Sequence, residues 1–152
     1  MKVTVLLKND HEAVTALFDK FKKATGARGQ NGKKDLFNEI RRELQIHSQM
    51  EQEIFYPALT STSSARAAEL VSAAEQEHKA IEKSLQELSA MNGSEKTFEP
   101  KVTELMELVK EHVEKEEEEM FDEARKSLPE YRLEELGLEM EARKKILATL
   151  AA

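Results

Sequence analysis

The 152-residue chain has no cysteine and no tryptophan, only three prolines and five glycines, and just 5% aromatic residues. Without cysteine it cannot build disulfides, thiolate zinc sites, iron–sulfur clusters or a thiol nucleophile. The redox compartment stays open, because a cysteine-free chain is stable in either. Long hydrophobic runs are also missing. No segment approaches the ~20 apolar residues that span a bilayer. The stretch from Met1 to Lys8 has too short an apolar run for a secretory signal and no small-residue cleavage site. A cytoplasmic protein with no membrane contact is therefore expected. Excess positive charge is absent as well. Lys+Arg number 23 against 30 Asp+Glu, a formal charge of −7, which speaks against a nucleic-acid partner.

What is present fits one helical domain. At roughly 100–200 residues per domain the length allows one. With 39% apolar and 35% charged residues, a soluble core is feasible with little to spare. The few glycines and prolines fall in clusters: Gly26, Gly29 and Gly32; Pro57 with Thr60 to Ser64; Asn92-Gly93-Ser94 through Pro100; and Ser127-Leu128-Pro129. Between them run Ala, Leu, Glu, Lys and Gln, which favour helix. The spacing predicts helices over 3–25, 33–59, 64–91, 100–127 and 130–150. Ser64 is the expected cap of the third, and Pro100 suits a first turn. No useful run alternates with period two, so no sheet is expected. Four long helices joined by short turns predict an all-α, up-down-up-down four-helix bundle over residues 1–127. Residues 128–152 form a shorter fifth helix packed on the same domain. Its Leu133, Leu136, Met140, Ile146, Leu147 and Leu150 would cover part of the bundle, a dimer contact being the competing use. Monomer or weak dimer is the expected state.

The only four histidines, His11, His47, His78 and His112, fall one on each long helix. His11 lies 15 residues before Gly26, His47 15 after Gly32, His78 14 before Asn92 and His112 12 after Pro100. At ~1.5 Å per residue all four sit ~18–23 Å from one end of an antiparallel bundle, in one layer. Each also falls on an inward stripe: Leu7, His11, Val14, Phe18; Phe37, Ile40, Leu44, His47, Glu51, Ile54; Val71, Ala74, His78, Ile81; Val109, His112, Glu116, Met120. Two stripes carry a Glu one turn after the His, in His47-x-x-x-Glu51 and His112-x-x-x-Glu116, which stacks both side chains on one face.

A single core histidine is ordinarily a structural residue, and a Glu four residues after a His is weak evidence in a chain with 26 Glu. The acidic run Glu114 to Glu119 reads mostly as a solvated face. The joint pattern differs, because four inward His share a layer with two inward Glu. A core salt-bridge cluster would seldom repay its desolvation, whereas a buried carboxylate needs something to neutralise it. The pattern therefore points to metal. Four imidazoles and two carboxylates exceed one tetrahedral zinc. They suit two ions bridged by carboxylate, iron first, with manganese, zinc or cobalt as substitutes. Two His per metal with shared Glu51 and Glu116 leave room for an oxo, hydroxo or water bridge and for open positions.

These residues resemble the hemerythrin family, in particular its HHE cation-binding domains. The resemblance rests on Leu6 to Glu12 around His11, on His47 through Glu51 to Tyr56-Pro57-Ala58-Leu59, on Glu77-His78, and on His112 to Glu116. It spans about the first 125 residues in the order H…HxxxE…H…HxxxE. It implies a four-helix bundle with a nonhaem diiron centre, in which His11, His47, His78 and His112 are ligands and Glu51 and Glu116 bridge. The oxygen-carrying members have a fifth His, supplied by HxxxH on the third helix, where this chain has Ala74. Their fourth helix carries HxxxxD, where this chain has Glu116 at four residues and Glu117 at five; the inward stripe favours Glu116. Glu75 and Glu82 flank His78 and could add a carboxylate. Tyr56, ~14 Å below His47 along the axis, is expected to pack under the site rather than touch it.

The missing His argues against reversible oxygen transport. Three functions remain. The first is a redox diiron protein that reacts with or senses O2, hydrogen peroxide or nitric oxide, with catalase-like peroxide disproportionation as one reaction and an electron donor that the sequence does not identify. The second is a non-catalytic iron- or oxygen-binding protein for storage or sensing, similar to HHE domains that report iron through stability. The third is a metal-free helical interaction module, against which the inward Glu51 and Glu116 speak.

Overall fold

The structure, a computed structural model, describes residues 1–24 and 29–151. Five helices run along the chain, with no strand among the described residues. They are α1 (Val3–Lys23); α2, made of Gly29–Met50, a π-helical turn Glu51–Phe55 and Tyr56–Thr60; α3 (Ala65–Ser89); α4, made of Phe98–Lys115, a π-helical turn Glu116–Met120 and Phe121–Ser127; and α5 (Glu130–Ala151). The expected break at Gly26 lies outside the described residues. α2 starts earlier than expected, with Gly29 and Gly32 in its first turn. The amide groups there have no partner within the helix in any case. Ser64 caps α3 by accepting a hydrogen bond from the Ala67 N–H at 3.0 Å, and Pro100 sits in the first turn of α4.

α1 packs on α2, α3 packs on α4, and α5 lies along α1 and α2. The inward stripes read from the sequence are buried almost to a residue, with one shift. In each π turn the closing hydrogen bond spans five residues, from the Tyr56 N–H to the Glu51 carbonyl and from the Phe121 N–H to the Glu116 carbonyl. The extra residue turns the rest of the helix about its axis. The inward position expected at Ile54 passes to Phe55, which is fully buried, while Ile54 is half-buried.

The apolar core falls into two clusters. One holds Val14, Phe18, Phe37, Ile40, Leu85, Phe98 and Leu105. The other holds Leu7, Met50, Phe55, Leu59, Phe121 and Met140. The buried polar layer of His11, His47, Glu51, His78, His112 and Glu116 accompanies that division. α5 buries Leu133, Leu136, Met140 and Leu147, but leaves Ile146 and Leu150 exposed, contrary to expectation. A helix lying along two neighbours covers only one stripe, and those two residues are off it. At Gly137 an added Cβ would stand 1.8 Å from the Met1 carbonyl oxygen, so only glycine lets α5 pass the start of α1 so closely. Arg143 of α5 binds Glu53 at 2.8 Å, and Lys144 binds Asp10 at 2.5 Å.

Candidate metal centre

All six residues singled out from the sequence meet in one buried layer. α1 contributes His11, α2 His47 and Glu51, α3 His78, and α4 His112 and Glu116. His11 Nε2 lies 3.2 Å from His47 Nε2, and His78 Nε2 lies 3.2 Å from His112 Nε2. Glu51 Oε1 is 3.3 Å from His47 Nε2 and 3.0 Å from His78 Nε2. Glu116 reaches the other two, with Oε1 3.1 Å from His11 Nε2 and Oε2 3.3 Å from His112 Nε2. Two overlapping donor sets result: His11, His47, Glu51 and Glu116, and Glu51, His78, His112 and Glu116. In each, the donor atoms lie within 4.8 Å of one another. Both carboxylates belong to both sets.

The outward ring nitrogens decide which way the inward ones behave. His11 Nδ1 lies 2.7 Å from Glu117, His47 Nδ1 3.3 Å from Asp10, and His112 Nδ1 2.8 Å from Glu77. A carboxylate only accepts, so these three rings donate from Nδ1 and, when neutral, turn an Nε2 lone pair inward. His78 Nδ1 instead meets the Ser48 hydroxyl at 2.9 Å and the Gln52 side-chain amide at 3.2 Å. At the His11–His47 pair two lone pairs therefore face one another at 3.2 Å, which calls for a cation or a proton between them. Glu51 Oε2 and Glu116 Oε1 are buried with no hydrogen-bond partner, a costly arrangement unless something positive satisfies them. Imidazole and carboxylate donors around an interior with two unsatisfied carboxylate oxygens fit a pair of cations.

Without metal, protons take that place. Burial opposes charge on His47, but the Glu51 charge and its hydrogen bonds to Asp10 and Glu51 outweigh burial and hold its pKa up at about 10. Burial likewise opposes charge on His112, yet hydrogen bonds to Glu116, Glu51 and Glu77 push it up to about 12. Burial alone would raise the Glu51 carboxyl, and the His47 charge with its hydrogen bonds carries it well below the usual range instead.

Tyr56 corrects the sequence reading. It does not merely pack beneath the layer: its hydroxyl donates to Glu116 Oε2 at 2.7 Å and lies 3.1 Å from His78 Nε2. Axial rise compares Cα heights, whereas helical side chains lean toward the N-terminus, and the phenol is long enough to close the gap. Of the flanking carboxylates, Glu117 supports His11 from behind, Glu82 lines a cavity at the His layer, and Glu75 is exposed. Asp10, Glu77 and Ser48 are supports that sequence reasoning misses. The available signal is an acidic residue immediately before an inward His, in Asp10-His11 and Glu77-His78. Two cavities of about 30 Å³ each adjoin the layer. One is walled by aliphatic side chains that include Val14, Leu44, Ile81 and Val109. The other lies beside Ala74, Glu77, His112 and Glu116.

Comparison with known proteins agrees with this geometry. The crystal structure of a hemerythrin HHE cation-binding domain-containing protein from Mycobacterium kansasii is similar to this chain with a TM-score of 0.83 and 27% identity, covering 97% of this chain and 87% of that one. A DNA nickase of Nostoc sp. (strain PCC 7120) is 24% identical over 144 residues, 95% of this chain, and this chain spans only 39% of the nickase's length. The family model described as the hemerythrin HHE cation binding domain matches residues 3–124, and the chain belongs to that family.

Proposed function

We propose that His11, His47, His78 and His112, with Glu51 and Glu116, hold two iron ions, and that the protein reacts with or senses O2, hydrogen peroxide or nitric oxide. The observation that carries this reading is the pair of donor sets sharing both carboxylates, with two carboxylate oxygens buried and otherwise unsatisfied. Nitrogen and oxygen donors without sulfur favour iron, with manganese or zinc as substitutes. Bound iron would supply one-electron chemistry toward a small ligand.

The chain's own residues supply the rest. Carboxylates behind three of the four imidazoles fix ring orientation and strengthen the inward nitrogens as donors. The aliphatic cavity has room for a water-sized ligand. The Tyr56 hydroxyl donates its own proton in a hydrogen bond to Glu116 Oε2, from where it can be passed on. Burial and the neighbouring carboxylates push the phenol pKa well above its usual value, so the proton stays until it is needed. Nicking of DNA is not carried over from the Nostoc relative. Most of that protein lies outside the match, and a chain of net charge −7 is poorly suited to a polyanion.

Elemental analysis of protein expressed in iron-replete medium is the test. Close to two irons per chain is expected, and no metal would refute the reading. Oxygen evolution from peroxide then separates turnover from storage or sensing, because evolution no greater than that of free iron excludes the catalase version.

A further inference from the structure

The two halves of the centre are not supported alike. Behind His11 stands Glu117 and behind His47 stands Asp10, so both imidazoles of that half donate to a carboxylate. In the other half only His112 does, to Glu77. Behind His78 there is a neutral hydroxyl from Ser48 and an amide from Gln52. A carboxylate on the far nitrogen makes the near nitrogen a stronger donor, and a hydroxyl does this less well. Lysines cancel out of the comparison, since Lys144 pairs with Asp10 on one side and Lys115 with Glu77 on the other. The His11/His47 half is left one carboxylate richer.

Space shows a second asymmetry. The cavity beside Ala74 reaches His112 and Glu116, while neither His11 nor His47 lines it. The poorer half thus has an opening of its own, besides the aliphatic cavity that all four imidazoles line, and the small Ala74 is part of its wall.

Resting on the metal reading above, we propose that the position framed by Glu51, His78, His112 and Glu116 binds its ion more weakly and is the one that takes a small exogenous ligand, on its Ala74 side. The position framed by His11 and His47 fills first and is the structural partner.

Titration of the metal-free protein with Co2+ alone, followed by its visible absorption, tests this. Two steps separated by roughly 10–100-fold in affinity are expected, the range over which such outer partners act. Ser48→Asp should tighten the second step and leave the first in place. Glu117→Gln should loosen the first. Sodium azide should change the spectrum after the second equivalent and not after the first. Ala74→Leu, which fills the cavity, should keep both steps and lose the azide response. Far-UV circular dichroism checks that each variant is folded, and the unmodified protein alone reports the separation of steps and the azide response. Two equal steps, azide binding at one equivalent, or a Ser48→Asp effect on the first step would overturn this inference while leaving two bound metals. Absence of Co2+ binding would overturn the metal reading together with it.

Discussion

Glu51 is fully buried and lies within 3.7 Å of three imidazole nitrogens, so its charge has value only if cations face it. A metal that binds only the folded state stabilises that state in proportion to the logarithm of its affinity. Replacing His47 or Glu51 by Ala should therefore lower iron content and melting temperature together. A 10–100-fold loss of affinity corresponds to about 1.4–2.7 kcal/mol, or roughly 3–10 °C for a domain of this size. Calorimetry alongside iron analysis reads both, and an unchanged melting temperature would show that the centre contributes little to the fold. The metal-free protein should respond to pH in a definite direction. His47 and His112 have pKa values raised from 6.5 to about 10 and about 12. Their contribution is fully present below pH ~6.5 and is lost as pH rises through the folded values. Glu51, with its pKa lowered, adds stability above its ordinary 4.5 that is lost on acidification. Melting temperature in chelator should thus be highest near pH 5–6.5 and fall toward pH 10, and a steady rise over that interval would contradict the arrangement. The four His and two Glu were legible in the sequence because each sits on its own helix's apolar stripe. Asp10, Glu77, Ser48 and Tyr56 were not, because their partners lie across the bundle, and a helical period reports only what shares a face.

At the scale of the helix, the two π turns mark the site. Each begins at a carboxylate of the centre, Glu51 or Glu116, and each inserts one residue into the helical register. On α2 the result is that Phe55 and Tyr56 are both buried side by side, which a regular helix carrying Glu51 inward would not achieve. Inserting an alanine after Gln52, whose side chain is exposed, should add a residue that the already widened turn cannot take up and rotate everything from Glu53 to Thr60 by about 100°. Phe55 and Tyr56 would leave the core, and the hydrogen bond from Tyr56 to Glu116 would be lost. The expected outcome is protein with most of its helical dichroism but a melting temperature more than 10 °C lower and little bound metal. Near-native metal content would show that the register beyond Glu51 does not matter to the centre. The stripes and three of the four turns could be read from the sequence, since they follow from apolar spacing and from clustered Gly, Pro and Ser. The π turns could not. No residue type specifies them, and only one of the two precedes a proline.

In the whole molecule the four-helix layer is completed from outside by α5. Leu133, Leu136, Met140 and Leu147 all pack into the cluster on the Phe55 and Phe121 side of the metal layer. Burial of such a side chain contributes about 1.5–3 kcal/mol, so the four together amount to roughly 6–12 kcal/mol, comparable with the ~5–15 kcal/mol that holds a typical domain together. Two of its charged residues also reach the centre's supports: Lys144 neutralises Asp10 behind His47, and Arg143 binds Glu53, two residues beyond Glu51. A chain ending at Leu128 would uncover the faces of α1 and α2 along which α5 lies and leave Asp10 without its lysine. In the absence of metal that chain should keep helical dichroism yet lose cooperative melting, because what is left of the core no longer offsets the entropy of ordering it. Adding iron should restore part of the transition, since the six residues of the polar layer all precede the truncation and binding would draw the helices together. A metal-free truncated chain that melts cooperatively within 2–3 °C of the full-length protein would show that α5 is an appendage and that four helices alone carry the fold.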